Sequence, residues 1–104
     1  MARSLSSIRM DFTKALRQAS QLEDISRTMR RLGNEKLEGT LQNLGQNWTG
    51  DNSLRYIGKG RQLEGKITGT SNALMDIART IRQIAQNVYE AEMRAWEIAH
   101  NRDH

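Results

Sequence analysis

The sequence contains no cysteine and no proline among its 104 residues. Without cysteine there is no disulfide framework, no thiolate zinc site and no cysteine nucleophile. Without proline the strongest helix breaker is missing from the whole chain. Aromatic residues make up only 5% of the sequence, which argues against a β-sandwich or barrel, where Tyr, Phe and Trp are favoured. These absences favour a small helical domain.

Long apolar runs are missing as well. No stretch approaches the roughly 20 apolar residues that span a bilayer, so we expect no stable membrane insertion. The polar start from Met1 to Ser4 lacks the apolar segment of a signal peptide. If the chain leaves the cell, we therefore expect it to do so without a cleaved N-terminal signal.

The charge balance is basic, with 16 Lys and Arg against 12 Asp and Glu, a net charge of +4 and a pI near 10.0. Such a balance permits an acidic partner, nucleic acid or a membrane surface without requiring one. One alternative function is therefore a basic helical hairpin that binds nucleic acid or acts as a scaffold. Its cations would be Arg55, Lys59, Arg61 and Lys66, beside Tyr56 as a stacking ring. Interleaved acidic residues and the lack of a recognised binding motif make nucleic acid the less favoured partner.

Glycine and the apolar periodicity define the elements. All 8 glycines lie between positions 33 and 69, and the flanks contain none. Since glycine costs a helix interior about 1 kcal/mol relative to alanine, the flanks should be the firmest helices. Apolar residues recur at steps of three and four from Ile8 to Leu32, take one five-residue step to Leu37, and continue from Leu54 to Ile98 without a slip. This 3.5-residue period predicts an all-α fold.

The only stretch rich in turn residues runs from Gly45 to Ser53, and a short connection there makes the two helices antiparallel neighbours. We predict a single helical-hairpin domain over 1–104, with arm one at about 7–46, the turn at about 47–52 and arm two at about 53–99. At Gly33-Asn34 the first arm is either kinked or fully broken, and the sequence leaves both open.

A lone hairpin leaves apolar side chains uncovered beside its seam. We expect Leu5, Met10 and Leu16 to face outwards on arm one, and Met75, Ala78 and Ala85 on arm two. Helical bundles normally bury such stripes among four helices, so we predict a dimer that forms a four-helix bundle. The predicted dimer seam consists of Phe12, Leu22, Met29, Leu41, Leu63, Ile67, Leu74, Ile77, Ile81 and Ile84.

Catalytic and metal-binding patterns are weak. There is no phosphate-binding glycine loop followed by Lys-Ser/Thr, and the carboxylate pairs sit in polar helical contexts typical of solvated surface. His100 and His104 are the only histidines, and their position at the chain end offers no preorganised zinc site. We expect no enzyme, no metal and no cofactor.

Trp48-Thr49-Gly50 stands in the middle of this cysteine-free chain of about a hundred residues. In length, motif position and helical pattern the chain resembles the WXG family, the early-secreted-antigen-like substrates of type VII (ESX/Ess) secretion. The resemblance implies a protein of the bacterial cytoplasm that is then secreted. It also implies pairing with itself, with a paralogous helical hairpin, or with the N-terminal helical region of a larger LXG-type toxin, and recognition by the type VII secretion ATPase. Secreted substrate and helical partner both remain open.

The resemblance further implies a bipartite export signal. Its first part is the turn, with Trp48 and Gly50, and with Tyr56 at the family's aromatic position. Its second part is a C-terminal pattern that Val88, Glu92, Ala95 and Ala99 satisfy, with Tyr89 and Trp96 beside them. The stricter Tyr-x-x-x-acidic form is not met, because Met93 follows Tyr89 by four residues. From the residues alone we expect Trp48 to act mainly as a large apolar plug over the end of the bundle, to which the resemblance adds a recognition role. Val88 and Ala95 could equally be simple seam packing.

Overall fold

The computed structural model describes residues 3–101 and contains helices only. Helix α1 covers Leu5–Arg31, a π-helical segment covers Leu32–Leu37, α2 covers Glu38–Asn47 and α3 covers Asp51–Asn101. No β-strand occurs within residues 3–101. The prediction of an all-α helical hairpin is confirmed. None of the helices in the described part of the chain combines the length and apolarity needed to cross a membrane.

Helix α1 begins with a serine cap. The backbone N–H of Ser7 donates to Ser4 Oγ at 3.2 Å, and the N–H of Ile8 donates to the Ser4 carbonyl at 3.1 Å. The side-chain bond satisfies one of the free N–H groups of the first turn. At its other end α1 continues directly into the π-helical segment, so Arg30 and Arg31 do not lie at a free helix terminus.

The π-helical segment explains the five-residue step in the apolar pattern. The step from Leu32 to Leu37 coincides with the segment, and the N–H of Glu38 donates to the carbonyl of Gly33, five residues earlier. A π turn accommodates one more residue than an α turn. The backbone thus stays helical through Gly33-Asn34, and the full break that the sequence left open does not occur.

The connection between α2 and α3 is the tripeptide Trp48-Thr49-Gly50 alone. Trp48 is extended, with φ −137° and ψ 121°, and its N–H still donates to the Leu44 carbonyl at 2.9 Å. Gly50 has a φ of 111°, a conformation that favours glycine because it has no Cβ. Ser53 Oγ then donates to the Gly50 carbonyl at 2.9 Å as α3 begins.

The described chain comprises two compact units. The terminal unit combines residues 3–22 with residues 76–101, and its buried apolar residues are Ile8, Ala19, Ala78 and Ala85. The turn unit is Glu23–Met75, and its buried residues are Ser26, Gly33, Leu41, Ser53 and Ser71. Small side chains therefore dominate the buried positions of both units.

The structure corrects the expected orientation of two alanines. Ala78 and Ala85, which we expected to face outwards, are only 0% and 9% exposed. The isoleucines just before them, Ile77 and Ile84, are 50% and 56% exposed. One residue is a rotation of about 100° around an α-helix, so burying the alanine row turns the isoleucine row towards solvent. The prediction that Ala78 and Ala85 face outwards is wrong.

Candidate functional site

The terminal unit contains an apolar groove of about 260 Å³ between α1 and α3. Three residues of the predicted C-terminal signal, Val88, Tyr89 and Glu92, line it. The other lining residues are Ile8, Asp11, Phe12, Ala15, Ile81, Ile84 and Ala85. The groove therefore brings signal residues together with three members of the predicted dimer seam (Phe12, Ile81 and Ile84).

An aromatic pair within the groove lining links the two helices of the terminal unit. The rings of Phe12 and Tyr89 stack with their centroids 4.5 Å apart and their planes 22° from parallel. Offset stacking of this kind contributes about 0.5–1.5 kcal/mol beyond the burial of the rings. The stack fixes the position of Tyr89, which from the sequence was only a near match to the export motif.

Arg3 holds both carboxylates of this groove. Its Nη1 donates to the two carboxylate oxygens of Glu92, each at 3.1 Å, and its Nη2 forms an ion pair with Asp11. The hydrogen bonds to Asp11 and then to Glu92 raise the pKa of Arg3 above its ordinary value. Glu92, the acidic residue of the predicted signal, is thus ion-paired within the chain.

The remaining residues of the predicted signal do not line the groove. Ala95 and Ala99 are exposed, whereas Trp96 is half-buried. The Trp96 ring stacks on His100 with centroids 4.0 Å apart, and His100 Nδ1 lies 2.8 Å from the Trp96 carbonyl. The last turns of α3 therefore present a second aromatic pair beyond the groove.

The structure brings the two aromatic residues of the turn motif together. Trp48 and Tyr56 stack with ring centroids 5.7 Å apart and planes 25° from parallel. Trp48 is 42% exposed and Tyr56 is 55% exposed. The indole is therefore not a buried plug within the chain, and the pair forms an aromatic surface patch beside Gly50.

The ten predicted seam residues differ in exposure. Leu41 is buried, and its side chain lies against Gly60. Leu63, Ile77 and Ile84 are about half exposed. The others are half-buried: Phe12, Leu22, Met29, Ile67, Leu74 and Ile81. Most of this stripe thus retains solvent-accessible apolar surface.

A buried serine pair in the turn unit was not found from the sequence. Ser26 Oγ donates to the Ser71 carbonyl at 2.7 Å, and Ser71 Oγ donates to the Ser26 carbonyl at 3.0 Å. The two hydroxyl oxygens lie 3.0 Å apart, and both residues are fully buried. The signal for this pair is a seven-residue recurrence of small residues: Ala19, Ser26 and Gly33 on one arm, and Ser71, Ala78 and Ala85 on the other.

Two of the residues considered for nucleic-acid binding are engaged elsewhere. Arg61 bonds to the carboxylates of Glu38 and Glu64, and the ring of Tyr56 stacks on Trp48. Residues 3–101 contain no group of three or more metal-ligating side chains. His104, the other histidine of the weak zinc pattern, lies outside the described residues.

A family model described as "proteins of 100 residues with WXG" matches residues 7–93. The match includes the Trp48-Thr49-Gly50 turn and all lining residues of the terminal groove. No curated protein and no solved structure shows a significant match.

Proposed function

Because the chain belongs to the WXG100 family of small proteins associated with type VII secretion, we propose that it acts as a non-enzymatic helical component of such a system. It is either a secreted substrate or the helical partner that accompanies one. In both roles it pairs with another helical hairpin in the bacterial cytoplasm. The secretion ATPase recognises the pair through its bipartite signal, and the pair is then exported.

The terminal groove is the observation that carries this proposal. Its lining contains Val88, Tyr89 and Glu92 together with Ile81 and Ile84 of the predicted seam. Residues three apart share a helix face, as residues four apart do. Tyr89 and Glu92 therefore supply the aromatic and the acidic element of the family's signal on one face, despite the shorter spacing.

Uncovered apolar surface supports pairing. Ile77, Ile84 and Val88 in the terminal unit are each about half exposed. Each fully covered aliphatic side chain contributes about 1.5–3 kcal/mol relative to leaving it in water. A partner helix lying over this row would complete a four-helix bundle and supply the burial that so small a chain lacks.

The turn supplies the other half of the proposed signal. Trp48 and Tyr56 form an exposed stacked pair next to the left-handed Gly50. Exposed aromatic residues in fixed positions are frequent anchors of protein interfaces. We assign this patch to recognition, completed by the C-terminal helix of the partner, as the resemblance to the family implies.

Export tests the proposal directly. The chain is expressed in a bacterium with a type VII system, and in an otherwise identical strain whose secretion ATPase cannot hydrolyse ATP. We expect the chain in the culture supernatant of the first strain only, and not when it is shortened to end at Asn87. Circular dichroism should show that the shortened chain stays largely helical.

A matched pair of variants tests the groove. Ile84→Asp places a charge among the lining residues, whereas Ala73→Asp places the same charge at an exposed apolar residue outside that lining. We expect Ile84→Asp to abolish export and to lower the dimer fraction in sedimentation equilibrium, and Ala73→Asp to change neither. Export that does not depend on the ATPase, or that survives truncation at Asn87 unchanged, would contradict the proposed function.

A further inference from the structure

Arg3 is bonded to the acidic residue of the proposed C-terminal signal, and we propose that it competes with the secretion ATPase for that residue. While Arg3 is paired with Glu92, a cationic group of the ATPase has to displace it before binding the same carboxylate. This inference rests on the proposed function, because it adds a regulatory residue to the same signal. It assigns a role to a residue that lies outside both parts of the bipartite signal.

The contacts of Arg3 involve the whole Glu92 carboxylate. Both of its oxygens accept hydrogen bonds from Arg3 Nη1, each at 3.1 Å. Within residues 3–101 no other residue forms an ion pair with Glu92. The Glu92 side chain is 27% exposed, so another protein can still reach it. A second cation approaching Glu92 is repelled by the charge of Arg3, which therefore lowers the affinity of a cationic receptor group.

Two further acceptors keep Arg3 beside Glu92. Arg3 Nη2 forms an ion pair with Asp11 and donates to the Ser7 carbonyl at 3.5 Å. Asp11 and Glu92 both line the terminal groove, where their like charges would repel each other without a cation between them. An arginine or lysine of the receptor that takes the place of Arg3 supplies the same neutralisation. The exchange therefore leaves no unpaired carboxylate in the groove.

Arg3 can leave this position without unfolding a helix. It precedes Ser4, whose side chain caps α1, and the helix itself begins at Leu5. The Arg3 side chain is 41% exposed, and an exposed ion pair shifts an equilibrium by no more than about fivefold. The contact is thus weak enough for a protein to displace it and strong enough to change recognition measurably.

A second groove, in the turn unit, shows that internal pairing is not general to the grooves of this chain. This turn groove measures about 250 Å³, and its lining residues are Leu32, Lys36, Leu37, Thr40, Leu63 and Ile67. Its charged lining residue, Lys36, forms no ion pair within the described residues. Of these two grooves, only the one that contains the proposed signal has its charges paired internally.

The test compares export of the full chain and matched variants in a strain with a type VII system. Arg3→Gln removes the charge and keeps a polar side chain, whereas Arg3→Lys keeps the charge. Arg9→Gln is the control, because it removes the same charge at an exposed position of α1 without an ion pair in the described residues. We expect Arg3→Gln to raise the initial export rate about two- to fivefold, and the other two variants to match the unchanged chain.

Binding to the purified secretion ATPase of the same strain is the second measurement. By fluorescence anisotropy at low salt, we expect Arg3→Gln to bind about two- to fivefold more tightly than the unchanged chain. The difference should shrink as salt screens the Arg3–Glu92 pair. In a Glu92→Gln background Arg3→Gln should give no gain, because its carboxylate partner is gone. Thermal melts show whether Arg3 also stabilises the fold, a role that would not by itself tighten binding.

Three results would overturn the inference. These are no gain or a loss for Arg3→Gln, an equal gain for Arg9→Gln, or a gain that persists in the Glu92→Gln background. Failure of the proposed function gives a different result. Export that is independent of the ATPase, or that Glu92→Gln alone does not reduce, refutes the proposed function and the inference with it. ATPase-dependent export that requires Glu92 but is not raised by Arg3→Gln refutes only the inference.

Discussion

In the terminal unit the helices bury Ile8 and three alanines and add the Phe12–Tyr89 ring stack, whereas the turn unit buries mainly serine, glycine and one leucine. Both choices remove bulk from the contact. Alanine achieves this without polar groups, while serine also supplies hydrogen bonds to the opposite backbone. The comparison indicates that close approach of two helices requires small side chains, and that these side chains can be either apolar or polar.

The grooves of the two units also differ in the charges that line them and in whether those charges are paired. In the terminal groove the charged lining residues are carboxylates, and Arg3 neutralises both of them. Of the described residues that line the turn groove, only Lys36 is charged. The charges of the terminal groove are thus paired within the chain, whereas Lys36 of the turn groove forms no ion pair within the described residues.

The sharpest challenge to the packing of the terminal unit is Ala78→Leu. Because Ala78 is fully buried, the larger side chain should force the helices apart and lower the free energy of unfolding by about 3 kcal/mol. Ala73→Leu, at an exposed position of α3, should change it by less than about 0.5 kcal/mol. Urea unfolding followed by circular dichroism measures both, and similar values for the two variants would contradict the buried alanine row.

In the turn unit the equivalent comparison uses two glycines of α3. A methyl group on Gly60 would overlap the side chain of buried Leu41, while one on Gly58 would meet no atom within 4 Å. Gly58→Ala should stabilise the chain by about 1 kcal/mol through helix propensity. Gly60→Ala gains the same propensity but overpacks the contact, so it should be about 2 kcal/mol less stable than Gly58→Ala. Equal thermal melting temperatures would show that Leu41 moves aside without cost.

The two ring stacks allow a direct comparison of the units. Phe12→Ala removes a half-buried ring and should cost about 2 kcal/mol, less than a fully buried ring would. Trp48→Ala removes an exposed stack and should cost only about 1 kcal/mol. Thermal melts give the stabilities, and export assays on the same variants show whether Trp48 matters more for recognition. A loss near 3 kcal/mol for Trp48→Ala would indicate that the indole is buried after all.

The smallest expected effect concerns the serine pair. Ser26→Ala should cost about 1 kcal/mol, because a buried hydrogen bond is lost without a large cavity. In a double-mutant cycle with Ser71→Ala, the two changes should couple by about 0.5 kcal/mol or more. Ser6→Ala, at an exposed position of α1, serves as the control. Additive losses in the cycle would show that the two hydroxyls act independently.

Much of the fold was accessible from the sequence because helical periodicity and glycine placement are local signals. The five-residue step after Leu32 and Gly33-Asn34 indicated an irregularity in the first arm, but not that it would be π-helical. The glycine of the Trp48-Thr49-Gly50 motif indicated the turn. The identity of the buried face was not accessible in the same way. Ile77 and Ala78 both fit an apolar stripe, and only the close approach of the helices decides which one is buried.

The candidate site was predictable in part. The motif pattern selected Val88, Tyr89 and Glu92, and the structure places all three in one groove. The motif pattern gave no indication of Arg3. Its ion pair with Glu92, 89 residues away in the sequence, depends on how the two helices align. The second groove was missed for a similar reason, since its lining comes from segments that are distant in the sequence.

The π-helical segment has a consequence for how this chain tolerates changes in length. From Ser26 to Gly33 the buried residues are seven apart, but from Gly33 to Leu41 they are eight apart. The π turn therefore accommodates one additional residue within a single helical turn. The residues before and after it remain on the same buried face of the arm. Deleting the exposed Asn34 should convert the segment to ordinary α-helix and restore an even heptad repeat. Relatives one residue shorter at this point would then present the same surfaces, and length variation here would be neutral for pairing.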